Sequence, residues 1–302
     1  MRCRPAELVE GTRTVITVRM NYRPASADPV AVLASDRTAY VSRYALGRDY
    51  HKVMRARLVK LWNRVADFLR AAGIDDARGR VFTDSAPVME KALAEQSGIG
   101  WIGKNTLLLT RDAGSWFFLG EIFTNLPLAV DAPMETEHCG SCDACITACP
   151  TGAIVAPYEL DAKKCISYLT IEKRGSIPVA LREAIGNRIF GCDDCQLVCP
   201  WNKFARPTRE SDFSPRHGLD NTGLVELFLW TEDEFLARTE GSAIRRAGYE
   251  GWLRNLAVAL GNGPASKEAK SALLSRRDEA SEMVAEHIDW ALEQLERRGV
   301  AG

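Results

Sequence analysis

Eight cysteines between positions 139 and 199 limit what this chain can become more than any other feature of its 302 residues. The first group reads Cys139-Gly-Ser-Cys142-Asp-Ala-Cys145-Ile-Thr-Ala-Cys149-Pro150. The second is Cys165 followed by Cys192-Asp-Asp-Cys195-Gln-Leu-Val-Cys199-Pro200. A cuboidal 4Fe-4S cluster needs four thiolates; C-x2-C-x2-C supplies three from one tight turn, and the fourth cysteine of such a run ligates the neighbouring cluster. The expected sets are therefore Cys139, Cys142 and Cys145 with Cys199, and Cys165, Cys192 and Cys195 with Cys149. Two four-cysteine zinc sites are the alternative, and the C-x2-C-x2-C-x3-C-P run speaks against them. Cys3, outside both groups, is expected to be a free thiol without function.

Clustered cysteines bind metal in a reducing compartment and form disulfides in an oxidising one. No apolar run reaches the roughly 18 residues of a membrane span, and the first residues lack the apolar core of a secretion signal. The expectation is a cytoplasmic protein with no membrane partner. With 46% hydrophobic and 26% charged residues, the chain can bury a sizeable core, and its net charge of -1 is silent about nucleic acid because a balanced total can hide a basic face.

Residues 14–18, Thr-Val-Ile-Thr-Val, predict a buried strand. Met54, Leu58, Leu61, Val65, Leu69 and Ala72 recur at helical spacing over residues 49–72, and Arg48, Lys52, Arg55, Arg57 and Lys60 line the outer face of that helix. A short strand at 81–83 leads into a helix of about ten residues whose first turn holds Pro87, with Asp84 or Ser85 as its cap. The glycine-rich segment 98–105 precedes two apolar runs, 106–110 and 116–124, that read as a hairpin buried on both faces. Helices are expected at 167–173 and 179–190. The tail carries an apolar stripe from Ile244 to Leu260 and a further helix around Val284 to Leu295. The fold class is α+β in three parts: a mixed α/β domain over 1–130, a bacterial-ferredoxin-like two-cluster domain over 131–205, and a helical, HEAT-like tail over 206–302.

These segments together resemble the epoxyqueuosine reductases, cobalamin-dependent iron-sulfur enzymes of tRNA modification. The resemblance rests on Gly47-Arg-Asp-Tyr50-His51-Lys52, Thr83-Asp84-Ser-Ala-Pro87-Val-Met-Glu90-Lys91, Gly100-Trp-Ile-Gly103-Lys104-Asn105, Gly114-Ser-Trp-Phe-Phe-Leu-Gly-Glu121, both cysteine groups, Ser167-Tyr-Leu-Thr-Ile-Glu172 and Gly241-Ser-Ala-Ile-Arg245-Arg246-Ala-Gly-Tyr249. It implies two 4Fe-4S clusters passing electrons from a low-potential donor to a base-off cobalamin over the N-terminal domain. It also implies reduction of epoxyqueuosine at the tRNA wobble position to queuosine, by a monomer. Asp84 matches the family's acid, and Tyr50, Lys104, Asn105, Ser167 and Thr170 match its cofactor surroundings. None of the four histidines lies in an Asp-x-His-x-x-Gly pattern that would supply a lower cobalt ligand.

Opening an epoxide leaves an alkoxide that needs a proton. A helix N-terminus would lower the Asp84 pKa and burial would raise it; burial is expected to win once cobalamin and substrate exclude water. The basic helix and the cluster Arg245, Arg246 and Arg254 are candidate tRNA contacts. Members of this family usually carry several dozen further residues ahead of the segment that begins at Cys3, so a late start or a truncation is expected. Two competing readings are a reductive dehalogenase-like corrinoid enzyme and a two-cluster electron carrier without a substrate of its own.

Overall fold

The computed structural model of the chain describes residues 4–299, so Cys3 lies outside the described residues. A short helix α1 (Pro5–Leu8) precedes β1 (Thr14–Asn21), α2 (Pro29–Ala34), β2 (Tyr40–Val41), α3 (Tyr50–Ala71), β3 (Gly79–Phe82), α4 (Glu90–Gln96), β4 (Trp101–Ile102), β5 (Leu108–Leu109) and β6 (Phe117–Thr124). Strands β1, β6 and β3 form an antiparallel sheet with β6 in the centre, registered Thr14 to Thr124 on one side and Phe82 to Glu121 on the other. β1 is longer than its β-branched run and only half-buried. β6, flanked on both edges and covered on both faces, is buried at every position except Leu119.

The two faces of β6 receive different helices because side chains alternate along a strand. α3 lies against Phe118 and Gly120; a Cβ at Gly120 would come within 2.8 Å of Leu58, so glycine sets how closely this helix approaches. The opposite face, with Phe117 and Leu119, packs with Ala94 of α4 and with Leu108. Asp49 starts α3 by accepting the His51 amide. The expected hairpin of 106–110 with 116–124 does not form. The turn between Thr110 and Gly114 closes, but β5 pairs with β4 while β6 enters the central sheet.

The cysteine region contributes α5 (Ala144–Thr147), the β7 (Ile154–Ala156) and β8 (Glu159–Leu160) hairpin, a π-helical turn Tyr168–Glu172, α6 (Val179–Ile185), β9 (Arg188–Phe190) and α7 (Asp194–Leu197). The helix expected over 179–190 stops at Ile185, because Gly186 takes a φ of 60° and redirects the chain into β9. β9 pairs in parallel with β2 from the N-terminal part. The tail adds α8 (Leu224–Phe228), α9 (Glu232–Arg238), α10 (Gly248–Asn262), α11 (Lys267–Arg277) and α12 (Glu282–Gly299). Its apolar core encloses Ala39, Val41, Ala45 and Leu46 together with Ile189, Phe190, Trp252, Leu256 and Ile288. The three sequence segments therefore share cores. Among the described residues, no helix is long and apolar enough to cross a membrane.

Candidate active site

Cys139, Cys142, Cys145 and Cys199 line one cavity of about 320 Å³, while Cys149, Cys165, Cys192 and Cys195 line part of a second, of about 750 Å³. The partition coincides with the crossed sets expected from the spacing. Helices α5 and α7, which carry Cys145 and Cys195, pack on each other, and the Cys195 thiol feels Cys165, Cys145 and Cys149. Burial raises the thiols of Cys145 and Cys195, which coordination to iron would reverse by deprotonating them outright. Among the described residues, no three His, Cys, Asp or Glu side chains are placed to hold a single ion.

The larger cavity has walls for a flat, apolar ring system. Tyr50 and Phe118 stack at 4.1 Å with their planes 6° apart, Tyr44 and Tyr22 flank Phe118, and Phe117 and Leu119 extend the apolar wall. Polar groups are few: Ser42, Ser115, Ser167, Asn105 and Gln196 line it, and among the described residues no histidine does. These walls fit a corrin.

The five expected cofactor residues separate here. Tyr50, Asn105 and Ser167 line the larger cavity. Lys104 turns to the first cysteine cavity, donating from Nζ to the carbonyls of Gly140 at 2.6 Å and Cys142 at 3.0 Å, so it fastens the glycine-rich loop to the cysteine turn. Thr170 is fully buried; its hydroxyl donates to the Ile166 carbonyl and accepts the Gly191 amide. It braces the turn behind the cavity.

Asp84 stands at the mouth of this cavity and does not cap a helix. α4 begins only at Glu90, and Pro87 precedes it in an irregular loop. Asp84 instead adopts a φ of 47°, in the left-handed region that Asp tolerates better than most residues. Its Oδ2 accepts the Tyr50 hydroxyl and lies 3.1 Å from His51 Nε2, whose Nδ1 is 2.8 Å from Asp49 Oδ1. In the free protein the hydrogen bond from His51, aided by Tyr50, holds the pKa of the Asp84 carboxyl below the usual carboxylate value despite partial burial. His51 is pushed up to about 9, first by Asp49 and then by Asp84. At neutral pH the proton of this couple resides on His51.

Beyond Asp84 opens a second cleft, lined by Tyr44, Tyr50, His51, Asp84, Arg245 and Arg246 among others. Tyr44, Tyr50 and Asp84 belong to both cavities. Arg246 pairs with Glu172 at 2.6 Å and, like Arg245, is exposed. Lys52, Arg55, Arg57 and Lys60 are exposed along α3, with Arg57 paired to Glu210. Arg254 cannot join them. It is 2% exposed and donates to the carbonyls of Leu169, Lys173 and Gly175.

His51 was visible in the sequence only as a neighbour of Tyr50, and its role comes from the Asp49 cap that turns its ring toward Asp84. Glu121, fully buried in β6 behind Asp84, was hidden inside an apolar run; one acid in a strand buried on both faces was the available signal.

Residues 138–202 match the profile of a 4Fe-4S double cluster binding domain, and residues 2–85 match the profile described as epoxyqueuosine reductase QueG, DUF1730. The chain is 62% identical over 291 residues to the epoxyqueuosine reductase of Pseudomonas aeruginosa, covering 96% of this chain and 79% of that protein. It is 55% identical over 299 residues to that of Escherichia coli K12, covering 99% and 77%. A structure of epoxyqueuosine reductase from Bacillus subtilis, with its catalytic loop swung out of the active site, superposes with a TM-score of 0.86 at 30% identity over 96% of this chain and 76% of that one. An epoxyqueuosine reductase crystallised with an epoxyqueuosine-modified tRNA-Tyr stem loop matches with a TM-score of 0.82 at 28% identity over 97% and 84%.

Proposed function

Since the chain belongs to the epoxyqueuosine reductase family, we propose that it reduces epoxyqueuosine in the anticodon of tRNA to queuosine, an oxidoreductase reaction consuming two electrons and two protons and releasing the epoxide oxygen as water. The observation that carries this reading is the pair of cavities meeting at Tyr44, Tyr50 and Asp84: one reaches back to four thiols, and the other opens between Arg245 and Arg246.

The two thiol sets would each hold a 4Fe-4S cluster and supply single electrons at low potential. The aromatic wall of Tyr44, Tyr50 and Phe118 would hold cobalamin, which when bound would supply a strong nucleophile for the epoxide carbon. Ser167 and Asn105, on the lining of the same cavity, would be the polar contacts to it. Asp84 relays to the alkoxide oxygen the proton that it receives from His51 Nε2 across 3.1 Å, with Asp49 keeping the imidazole oriented. Covering this couple by substrate removes water that now reaches the half-exposed carboxyl, and the proton then shifts toward Asp84. Arg245, Arg246 and the basic face of α3 draw in the anticodon phosphates. A tRNA substrate and thiols that need a reducing compartment favour a cytoplasmic protein, read here as a monomer served by a low-potential electron donor.

Anaerobic reconstitution with iron, sulfide and cobalamin, followed by nucleoside analysis of tRNA carrying epoxyqueuosine and supplied with a low-potential reductant, tests the reading. Conversion to queuosine supports it; intact epoxyqueuosine with both clusters and cobalamin loaded overturns it.

A further inference from the structure

Behind the Asp84 loop lies an acidic pair outside the chemistry described so far. Glu121 sits on the same face of the central strand β6 as Phe117 and Leu119, two residues beyond Leu119, and is 0% exposed. Neither of its carboxyl oxygens meets an N–H or O–H donor among the described residues. Its neighbour is the carboxyl of Glu90, at the start of α4 and within hydrogen-bonding reach. Glu90 in turn accepts the backbone amide of Asp84 through Oε1. Chain topology thus sets three acids in a row, with the innermost sealed in apolar surroundings and the outermost at the mouth of the cavity.

With Glu121 sealed in and neither of its oxygens meeting a donor among the described residues, ionising it beside the half-buried Glu90 carboxylate is costly. As two anions the pair has no hydrogen bond; as one acid and one carboxylate it has a strong one. The groups facing Glu121 all raise it, whereas Glu90 is raised by burial and the Asp84 charge and lowered by the Asp84 amide, Glu121 and His51. Asp84 adds negative charge, the His51 imidazolium stands beyond Asp84, and Lys91, on the same helix as Glu90, donates instead to the Thr106 carbonyl. The β1 residue opposite Glu121, Thr17, is neutral, and α3 covers the other face of the sheet with Met54 and Leu58. Burial, then the adjacent Glu90, push the Glu121 pKa up to about 9.

We propose that Glu121 is kept as a neutral acid that donates its proton to Glu90, and that Glu90, fixed in this way, holds the Asp84 amide so that the Asp84 carboxyl faces the cavity mouth. Glu121 is therefore a positioning residue for the reduction. Asp84 needs such a hold: its φ of 47° is costly for a residue other than glycine, and the amide bond to Glu90 is what ties this loop to the start of α4. The inference rests on Asp84 as the proton donor, but its protonation half stands independently of that role.

The test pairs a spectrum with kinetics on the reconstituted protein. Infrared difference spectra at neutral pH between the wild type and Glu121→Gln should show the C=O stretch of a buried carboxylic acid, shifted by D2O and missing from the variant. Glutamine still donates to Glu90 and should retain most of the rate. Glu121→Leu should lower kcat about 10–100-fold, the scale set by misplacing a reacting group, with KM for the modified tRNA stem loop unchanged. Absence of that band from the wild type overturns the proposal, and so does a Gln variant as slow as the Leu variant. A wild type that shows the band yet leaves epoxyqueuosine intact would instead remove the functional reading and leave the neutral acid standing.

Discussion

His51 Nε2 lies 3.1 Å from Asp84 Oδ2 while its other ring nitrogen is held 2.8 Å from Asp49. An imidazole between two carboxylates stays protonated well above its ordinary range. A raised histidine pKa contributes stability that is complete below the unfolded value near 6.5 and is lost as pH rises through the folded value of about 9. The lowered Asp84 carboxyl contributes above its unfolded pKa, and that part is lost on acidification through its folded value. Titration of the His51 ring followed by NMR should therefore give a midpoint near 9, with turnover declining over the same interval; a midpoint near 6.5 would dissolve the couple.

Asp84→Asn is the matching substitution at the other end of the couple. Asn accepts the left-handed backbone as readily as Asp, so the loop should keep its shape. Turnover should fall by about 10²–10⁴-fold, the usual contribution of a positioned acid, with cobalamin and tRNA binding retained. Near-normal turnover would take Asp84 out of the chemistry.

Crossed ligation can be told from local ligation by pairing cysteine substitutions. If Cys199 completes the set of Cys139, Cys142 and Cys145, then Cys145→Ser with Cys199→Ser should cost roughly half of the iron and labile sulfide, as a single loss does. Cys145→Ser with Cys149→Ser should cost both clusters. The reverse pattern in anaerobic iron counts would return the chain to two local sets.

Three arginines of the tail separate into two behaviours. Neutralising Arg245 and Arg246 should weaken tRNA binding and reduce the slope of log K against log salt by about 2, with little change in stability. Arg254→Leu should instead remove the donor to the buried Leu169 carbonyl and to the part-buried carbonyls of Lys173 and Gly175, and lower unfolding free energy by about 3 kcal/mol. Arg254 keeps its charge at neutral pH, although burial lowers its pKa to about 10. An Arg254 variant with normal stability and weak tRNA binding would reverse this division.

How far the residues announce the structure depends on whether a signal is local. The double-cluster region was legible because ligand spacing is a short-range rule, and α3 because its apolar residues recur at helical spacing and Asp49 caps it. Asp84 looked like a helix cap because Pro87 follows it, yet the loop is governed by Glu90, six residues on, and by Tyr50 and His51 from another element. The run ending at Leu109 pairs backward with Trp101 rather than forward with β6, a choice made by the central sheet. Arg254 shows the limit most plainly. Its charge suggested solvent, but the carbonyls of Leu169, Lys173 and Gly175, at the π-helical turn and the loop after it, require a donor from α10.

The pairing of β2 with β9, sealed by α10 and α12, also bears on how the protein is made. Residues 39–46 leave the ribosome early, yet the core that encloses them is closed by Trp252, Leu256 and Ile288. Contacts so distant in sequence form late. The strand leading into Cys192 and Cys195 therefore gains its support only when synthesis is nearly finished, and both thiol groups are exposed to solvent and oxidants during translation. Nascent chains arrested before Gly248 should carry no stable second cluster, measurable as acid-labile sulfide. Stable loading of the set that includes Cys192 and Cys195 would thereby be tied to completion of the polypeptide.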